Sequence, residues 1–123
     1  MSAGNYCETR RKAFLKRTVA VTWPTLTYTV KVGSASDDFI IDRVINVTIV
    51  DAYGTVTILV PDGIYPGQRL LINYVAEDAV CLDEVTVTTT TGADYSLGEI
   101  GDYCTLEWID SGTGWVEWNS LET

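Results

Sequence analysis

Histidine is absent from this chain of 123 residues. That removes the commonest general base, the commonest zinc ligand and every Ser-His or Cys-His arrangement. Cysteine is scarce: Cys7, Cys81 and Cys104 are far apart and show no CxxC spacing. Three reduced thiols, two of them filling β positions, are the expectation, with a Cys81–Cys104 disulfide as the alternative. No run of about 18 apolar residues occurs, so no transmembrane span is expected. The basic residues near the N-terminus are not followed by an apolar stretch, so no signal peptide is expected and synthesis in a cytoplasm is. Cations are few, with eight Lys and Arg against 17 Asp and Glu and a net charge of −9.

That charge is unevenly spread. Residues 1–33 carry six cations and one acid, a net +5, whereas residues 34–123 carry two cations and 16 acids, a net −14. A basic end on an acidic body predicts two regions with different jobs: a basic N-terminal arm with the first strand or strands over 1–33, and an acidic body over 34–123. Acidity of the body opposes nucleic-acid binding, and few aromatics interleave the cations, so no nucleic-acid partner is expected. The arm is suited to an acidic protein surface, to the chain's own body, or to a neighbouring copy.

What the chain does have is threonine and valine, both β-branched and suited to a pleated surface. Val19, Val21 and Trp23 alternate with Thr18, Ala20 and Thr22, and Leu26, Tyr28, Val30 and Val32 alternate with Thr27, Thr29 and Lys31. Strict alternation predicts strands with one buried and one wet face. Pro24 marks a bend or edge between the two runs. Further strands are expected at Phe39–Val50, Thr55–Val60, Leu70–Val75, Val85–Thr91, Tyr103–Ile109 and Trp115–Trp118, separated by turns such as Pro61-Asp62-Gly63 and Pro66-Gly67. Residues 5–17 are read as one short helix, with Asn5 as cap and Glu8 three residues on, or as an extended arm. The fold class is therefore all-β: an antiparallel sheet, sandwich or prism-like module with an N-terminal basic arm. No repeat of fixed period is evident.

The C-terminal segment looks too apolar for one small body. Tyr103, Leu106, Trp108, Ile109, Trp115, Val116 and Trp118 fall on both alternating faces. One face can enter the core, and the other needs a partner or becomes an exposed apolar patch. Oligomerisation is the expectation, with a two-sided core as the alternative.

No catalytic constellation is apparent, and no enzyme activity, metal or cofactor is expected. The acid pairs Asp37-Asp38, Glu77-Asp78 and Asp83-Glu84 lie in turn-like segments and lack a calcium-loop spacing. Gly63-Ile64-Tyr65-Pro66-Gly67 lacks the ending and the helix of a phosphate loop. Asn46-Val47-Thr48 fits a glycosylation sequon but falls mid-strand.

Thr55–Asn119 resembles small β-modules of tailed-phage virion surfaces: capsid decoration (cement) proteins, head fibres and tail-fibre segments. The resemblance rests on TVTILVPDGIYPGQRLLI (Thr55–Ile72), VTVTT (Val85–Thr89), YSLGEIGD (Tyr95–Asp102) and CTLEWIDSGTGWVEW (Cys104–Trp118). It covers a little over half of the chain. It implies a homotrimer without catalysis, closed around a threefold axis and attached through its N-terminal segment.

The expected function is that of a decoration protein, made in the host cytoplasm, that binds the major capsid protein and stabilises the outer surface of the shell. Arg10, Arg11, Lys12, Lys16, Arg17, Val19, Val21 and Trp23 are the expected capsid contacts. Tyr103, Leu106, Trp108, Trp115 and Trp118 are the expected contacts between subunits. The alternative is a receptor- or carbohydrate-binding module of a fibre or spike, with Tyr95, Trp115 and Trp118 stacking on sugars.

Overall fold

The computed structural model describes residues 13–22, 25–34, 40–50, 55–77 and 84–123. Among them there are nine strands and no helix, in two mixed sheets. In chain order they are β1 (Ala13–Thr22), β2 (Thr27–Thr29), β3 (Ile40–Val50), β4 (Thr55–Val60), β5 (Arg69–Ala76), β6 (Glu84–Thr89), β7 (Tyr95–Leu97), β8 (Tyr103–Trp108) and β9 (Trp115–Leu121). The all-β character expected from the alternating pattern is what the structure has.

The chain crosses from one sheet to the other with almost every strand. The first sheet has the order β1-β3-β5-β8-β9 and the second β2-β4-β6-β7. β1, β3 and β5 pair in parallel, and so do β2, β4 and β6. Each parallel partner is reached by way of a strand in the opposite sheet, so the chain winds through three rungs, in the manner of a β-solenoid. Val19 pairs with Val47, 28 residues on, and Val47 with Tyr74, 27 residues on; Thr27 pairs with Thr57 and Thr57 with Thr86, at 30 and 29. The winding then reverses. β7 runs antiparallel to β6, β8 antiparallel to β5, and β9 antiparallel to β8.

Three expectations are corrected here. Antiparallel pairing holds for β6–β7, β5–β8 and β8–β9 only. A structural period of 27 to 30 residues exists although the residues do not visibly repeat. Residues 13–17 belong to strand β1, not to a helix; residues 5–12 lie outside the described residues. The first strands expected within residues 1–33 are β1 and β2, one in each sheet, and Val19, Val21, Val30 and Val32 enter the core.

The core lies between the sheets. Val56, Ile58 and Val60 of β4 point inward while Thr55, Thr57 and Leu59 point out. Ile45, Val47 and Ile49 of β3, Leu70, Ile72 and Tyr74 of β5, and Val85 and Val87 of β6 continue the same apolar layer. Full burial of side chains of this size contributes roughly 1.5–3 kcal/mol each before chain entropy is counted. The Pro61–Gln68 turn is held to this core by one buried amide: Gln68 Oε1 accepts from the Ile64 N–H at 2.8 Å and Nε2 donates to the Val32 carbonyl at 3.0 Å. Gly63 is required there, since a Cβ would lie 2.3 Å from the Trp108 ring.

Candidate interaction surfaces

The first rung is fastened to the body by one carboxylate. Asp42 enters from β3, in register with Leu15 of β1, and is buried. Its Oδ1 accepts from Arg17 Nε at 2.8 Å, and its Oδ2 accepts from the Tyr28 hydroxyl at 2.6 Å and the Lys31 N–H at 2.9 Å. A buried carboxylate needs such donors, because removing a charge from water without partners is costly. The hydrogen bond to Asp42 holds the Arg17 guanidinium above its ordinary value. Burial, reinforced by Asp42, does the same to the Tyr28 phenol. The arrangement ties β1, the end of β2 and β3 together.

This placement divides the expected capsid contacts. Arg10, Arg11, Lys12 and Trp23 lie outside the described residues. Lys16 is exposed on β1. Arg17 is committed to Asp42, and Val19 and Val21 are buried in the chain's own core, so these three are corrected from surface contacts to structural residues. Beside Lys16, Phe14 is 51% exposed, and Arg43 stacks on its ring with Cζ 4.3 Å from the centroid.

The expected subunit contacts divide in the same way. Leu106, Trp108 and Trp115 are buried within this one chain. Trp108 and Trp115 meet edge to face, with centroids 5.6 Å apart, and Trp115 Nε1 donates to the Pro61 carbonyl at 2.8 Å. Most of the apolar excess read from the sequence is thus absorbed by the chain's own core, and these three are corrected from interface to core. Tyr103 is half-buried, and Trp118 is 62% exposed. Arg69 covers one face of Trp118, its Cζ 3.6 Å from the ring centroid, and also bonds Glu107 through Nε at 3.1 Å. Leu121 and Val116 of β9 are exposed on the same strand. Of the aromatics expected to stack on sugars, Tyr95 and Trp115 are buried, which leaves Trp118.

At the far end of the stack, Asp102 gathers the last residues. Its Oδ2 accepts from the N–H groups of Gly98, Glu99 and Thr123, and its Oδ1 from the Thr123 hydroxyl at 2.6 Å. Burial opposes ionisation, but the bonds from Thr123, Glu99 and Gly98 outweigh it and hold the carboxyl below its ordinary value of 3.8. Close by, Ser120 Oγ donates to Glu117 at 2.5 Å and to Glu122 at 3.2 Å, while Glu122 also accepts from the Ser96 N–H.

Sequence reading missed Asp42, Gln68 and Asp102 as organising residues. For Asp42 a signal was present: a lone acid inside the β-branched run Phe39–Val50. Cys104 is a free, buried thiol, and Cys81 lies outside the described residues. Among the acid pairs, Glu77 accepts from the Tyr74 hydroxyl and Glu84 from the Thr55 hydroxyl. Asn46 is in mid-strand, as expected, and accepts from Asn73 at 3.0 Å. Among the described residues, no three His, Cys, Asp or Glu side chains gather as a metal site. Compared with known protein families and with curated proteins, the chain matches none.

Proposed function

We propose that this chain is a structural protein of a virus particle, a capsid decoration protein that acts without catalysis. In this reading it sits as a homotrimer on the outer surface of the shell, binds the major capsid protein and braces the joints between capsomers. It is made in the host cytoplasm and assembled onto the particle there. The observation that carries the reading is a charge polarity fixed to a firm scaffold. Six of the eight cations lie between Arg10 and Lys31, and the strand that presents Lys16 is clamped to an acidic body by Asp42. A basic segment that leads into a fixed strand of an otherwise acidic module suits docking onto an acidic protein surface and discourages binding to nucleic acid.

Reversing Arg10, Arg11 and Lys12 to Glu tests this, because all three precede β1 in the chain and the test leaves the Arg17–Asp42 pair untouched. The variant is expected to lose binding to capsids assembled without the protein, with the circular dichroism spectrum and thermal midpoint kept. Undiminished decoration at moderate salt would overturn the assignment of the basic segment.

A second reading is favoured by Trp118 alone: a receptor- or carbohydrate-binding module, with the exposed ring and its Arg69 partner as a stacking platform. A glycan array with no signal above background, or with a signal unchanged in Trp118→Ala, removes it.

A further inference from the structure

The outer face of the first sheet is charged differently from the rest of this acidic molecule. The described residues hold Lys16, Arg17, Lys31, Arg43 and Arg69 as their cations, and three of the five project from this face. Lys16 and Arg69 are exposed between inward-facing neighbours, and Arg43, the extra residue at the β1–β3 irregularity, is exposed beside them. Glu107, in register with Arg69 and bonded to it, is the one acid in the outward rows among the described residues. Asp42 is buried, and Glu117 is in register with the inward-facing Leu106. Neither Lys16 nor Arg43 has a carboxylate partner among the described residues; Arg43 Nη2 donates to the Tyr65 hydroxyl at 3.4 Å.

The same face holds the two exposed aromatic rings, Phe14 on β1 and Trp118 on β9, each with a guanidinium stacked on it, Arg43 and Arg69 respectively. Val116, in register with Glu107, and Leu121, in register with Tyr103, add exposed apolar area along β9. Between the two stacks Lys16, Val44, Leu71 and Thr105 are cross-strand partners in one row, with Val44 and Leu71 half-buried. The second sheet is a contrast: in its outer row Thr27, Thr57, Thr86 and Ser96 are partners in succession, all uncharged hydroxyls. Exposed aromatics, stacked arginines and aliphatic groups on one flat surface are the composition of protein interfaces, where Trp, Tyr and Arg supply most of the affinity. Cations without acids of their own select a partner of opposite sign.

We infer that the outer face of the first sheet, from Phe14 and Lys16 across to Trp118, docks onto an acidic protein surface, with Lys16 and Arg43 meeting its carboxylates and Trp118 its apolar groups. This rests on the proposed capsid binding and deepens it: the partner is the capsid protein, and the contact extends from the N-terminal cations onto a rigid sheet. Phe14, Arg43 and Trp118 take the place of Val19 and Val21, which the core has taken up.

Decoration of capsids assembled without the protein tests this. The double variant Lys16→Glu, Arg43→Glu is expected to weaken binding about tenfold or more, and Trp118→Ala by a similar factor, with circular dichroism and sedimentation unchanged. If the double variant melts lower, Lys16→Glu alone carries the same test on one exposed side chain. Carbodiimide, which joins an amine to a carboxylate in contact, is expected to link Lys16 of the bound wild type to the capsid protein. Full binding by these variants overturns the docking face; loss in the Arg10, Arg11 and Lys12 variant alone then leaves the capsid reading on the N-terminal segment. A trimer that falls to monomer in the double variant assigns the face to a second copy, and a glycan signal lost in Trp118→Ala assigns it to a sugar; either overturns the proposal. Wild type that leaves the shells bare removes the capsid reading. The face is then decided on immobilised poly-L-glutamate at low salt: retention that the double variant loses keeps it, and no retention overturns it.

Discussion

Arg17 Nε donates to Asp42 Oδ1 across 2.8 Å, and the Asp42 side chain it meets has no solvent exposure while Arg17 keeps 29%. The pair is thus asymmetric. Loss of Arg17 leaves a buried carboxylate short of its charge partner, and loss of Asp42 leaves Tyr28 and the Lys31 N–H without their acceptor. Asp42→Ala is expected to cost about 3 kcal/mol in urea unfolding, and Arg17→Met somewhat less, because Tyr28 and Lys31 still serve the carboxylate. Equal midpoints for wild type and Asp42→Ala would show that the clamp contributes nothing.

Asp102 gives the fold an acid-sensitive point. Its carboxyl ionises more readily in the folded chain than its ordinary value of 3.8. A depressed acid stabilises the folded state above the unfolded value, and that contribution fades as pH falls from 3.8 through the lower folded value. Asp102→Asn is expected to be less stable than wild type at pH 7 and to lose less stability between pH 5 and pH 2, on the same reasoning. Parallel stability–pH curves for the two proteins would remove the assignment.

Cys104 works at the opposite end of the pH scale. Burial, followed by the charges of Glu122 and Glu117, pushes its thiol up to about 12 from 9.0. The folded chain holds the neutral thiol, so its contribution is complete below 9.0 and is lost as pH rises from 9.0 towards about 12. Peptide mapping after alkylation is expected to find Cys104 unmodified in the native protein at pH 8.5 and modified in urea, on the thiolate's role as nucleophile. Rapid native labelling would contradict its burial.

The two core tryptophans and the exposed one should behave differently on truncation. Trp115→Ala removes a buried ring and the hydrogen bond to Pro61, with an expected loss of about 3–5 kcal/mol. Gly63→Ala drives a methyl into Trp108 and is expected to cost about 1–3 kcal/mol. Trp118→Ala is expected to stay within about 1 kcal/mol of wild type, since it removes an exposed ring and one stacked guanidinium. Thermal unfolding of the three variants side by side checks the order.

The strands were legible because their inward and outward residues alternate. Val56, Ile58 and Val60 against Thr55, Thr57 and Leu59 show the buried face of β4 directly. β1 was misread at its start because Arg17 occupies an inward position, and only its partner 25 residues away makes that tolerable. Strand direction was hidden for a related reason. Parallel strands covered on both faces read as continuous apolar runs. Here each sheet leaves one face in water, so the parallel strands alternate as antiparallel ones do. The aromatic excess near the C-terminus was real in the sequence, but its destination was not readable there. Trp108 and Trp115 are taken up by a core that reaches to the Pro61 and Gly63 turn, some fifty residues earlier in the chain.

A winding of nearly equal rungs also makes height an adjustable dimension. The clamp at Asp42 and the knot at Asp102 sit at opposite ends, and the middle rung of β3 and β4 is joined to its neighbours on both sides by the same kind of parallel seam. Duplicating that rung would lengthen the molecule by one strand spacing, about 4.8 Å, without altering either end. Length can therefore be gained or shed in whole rungs while the Asp42 clamp and the Asp102 knot stay as they are.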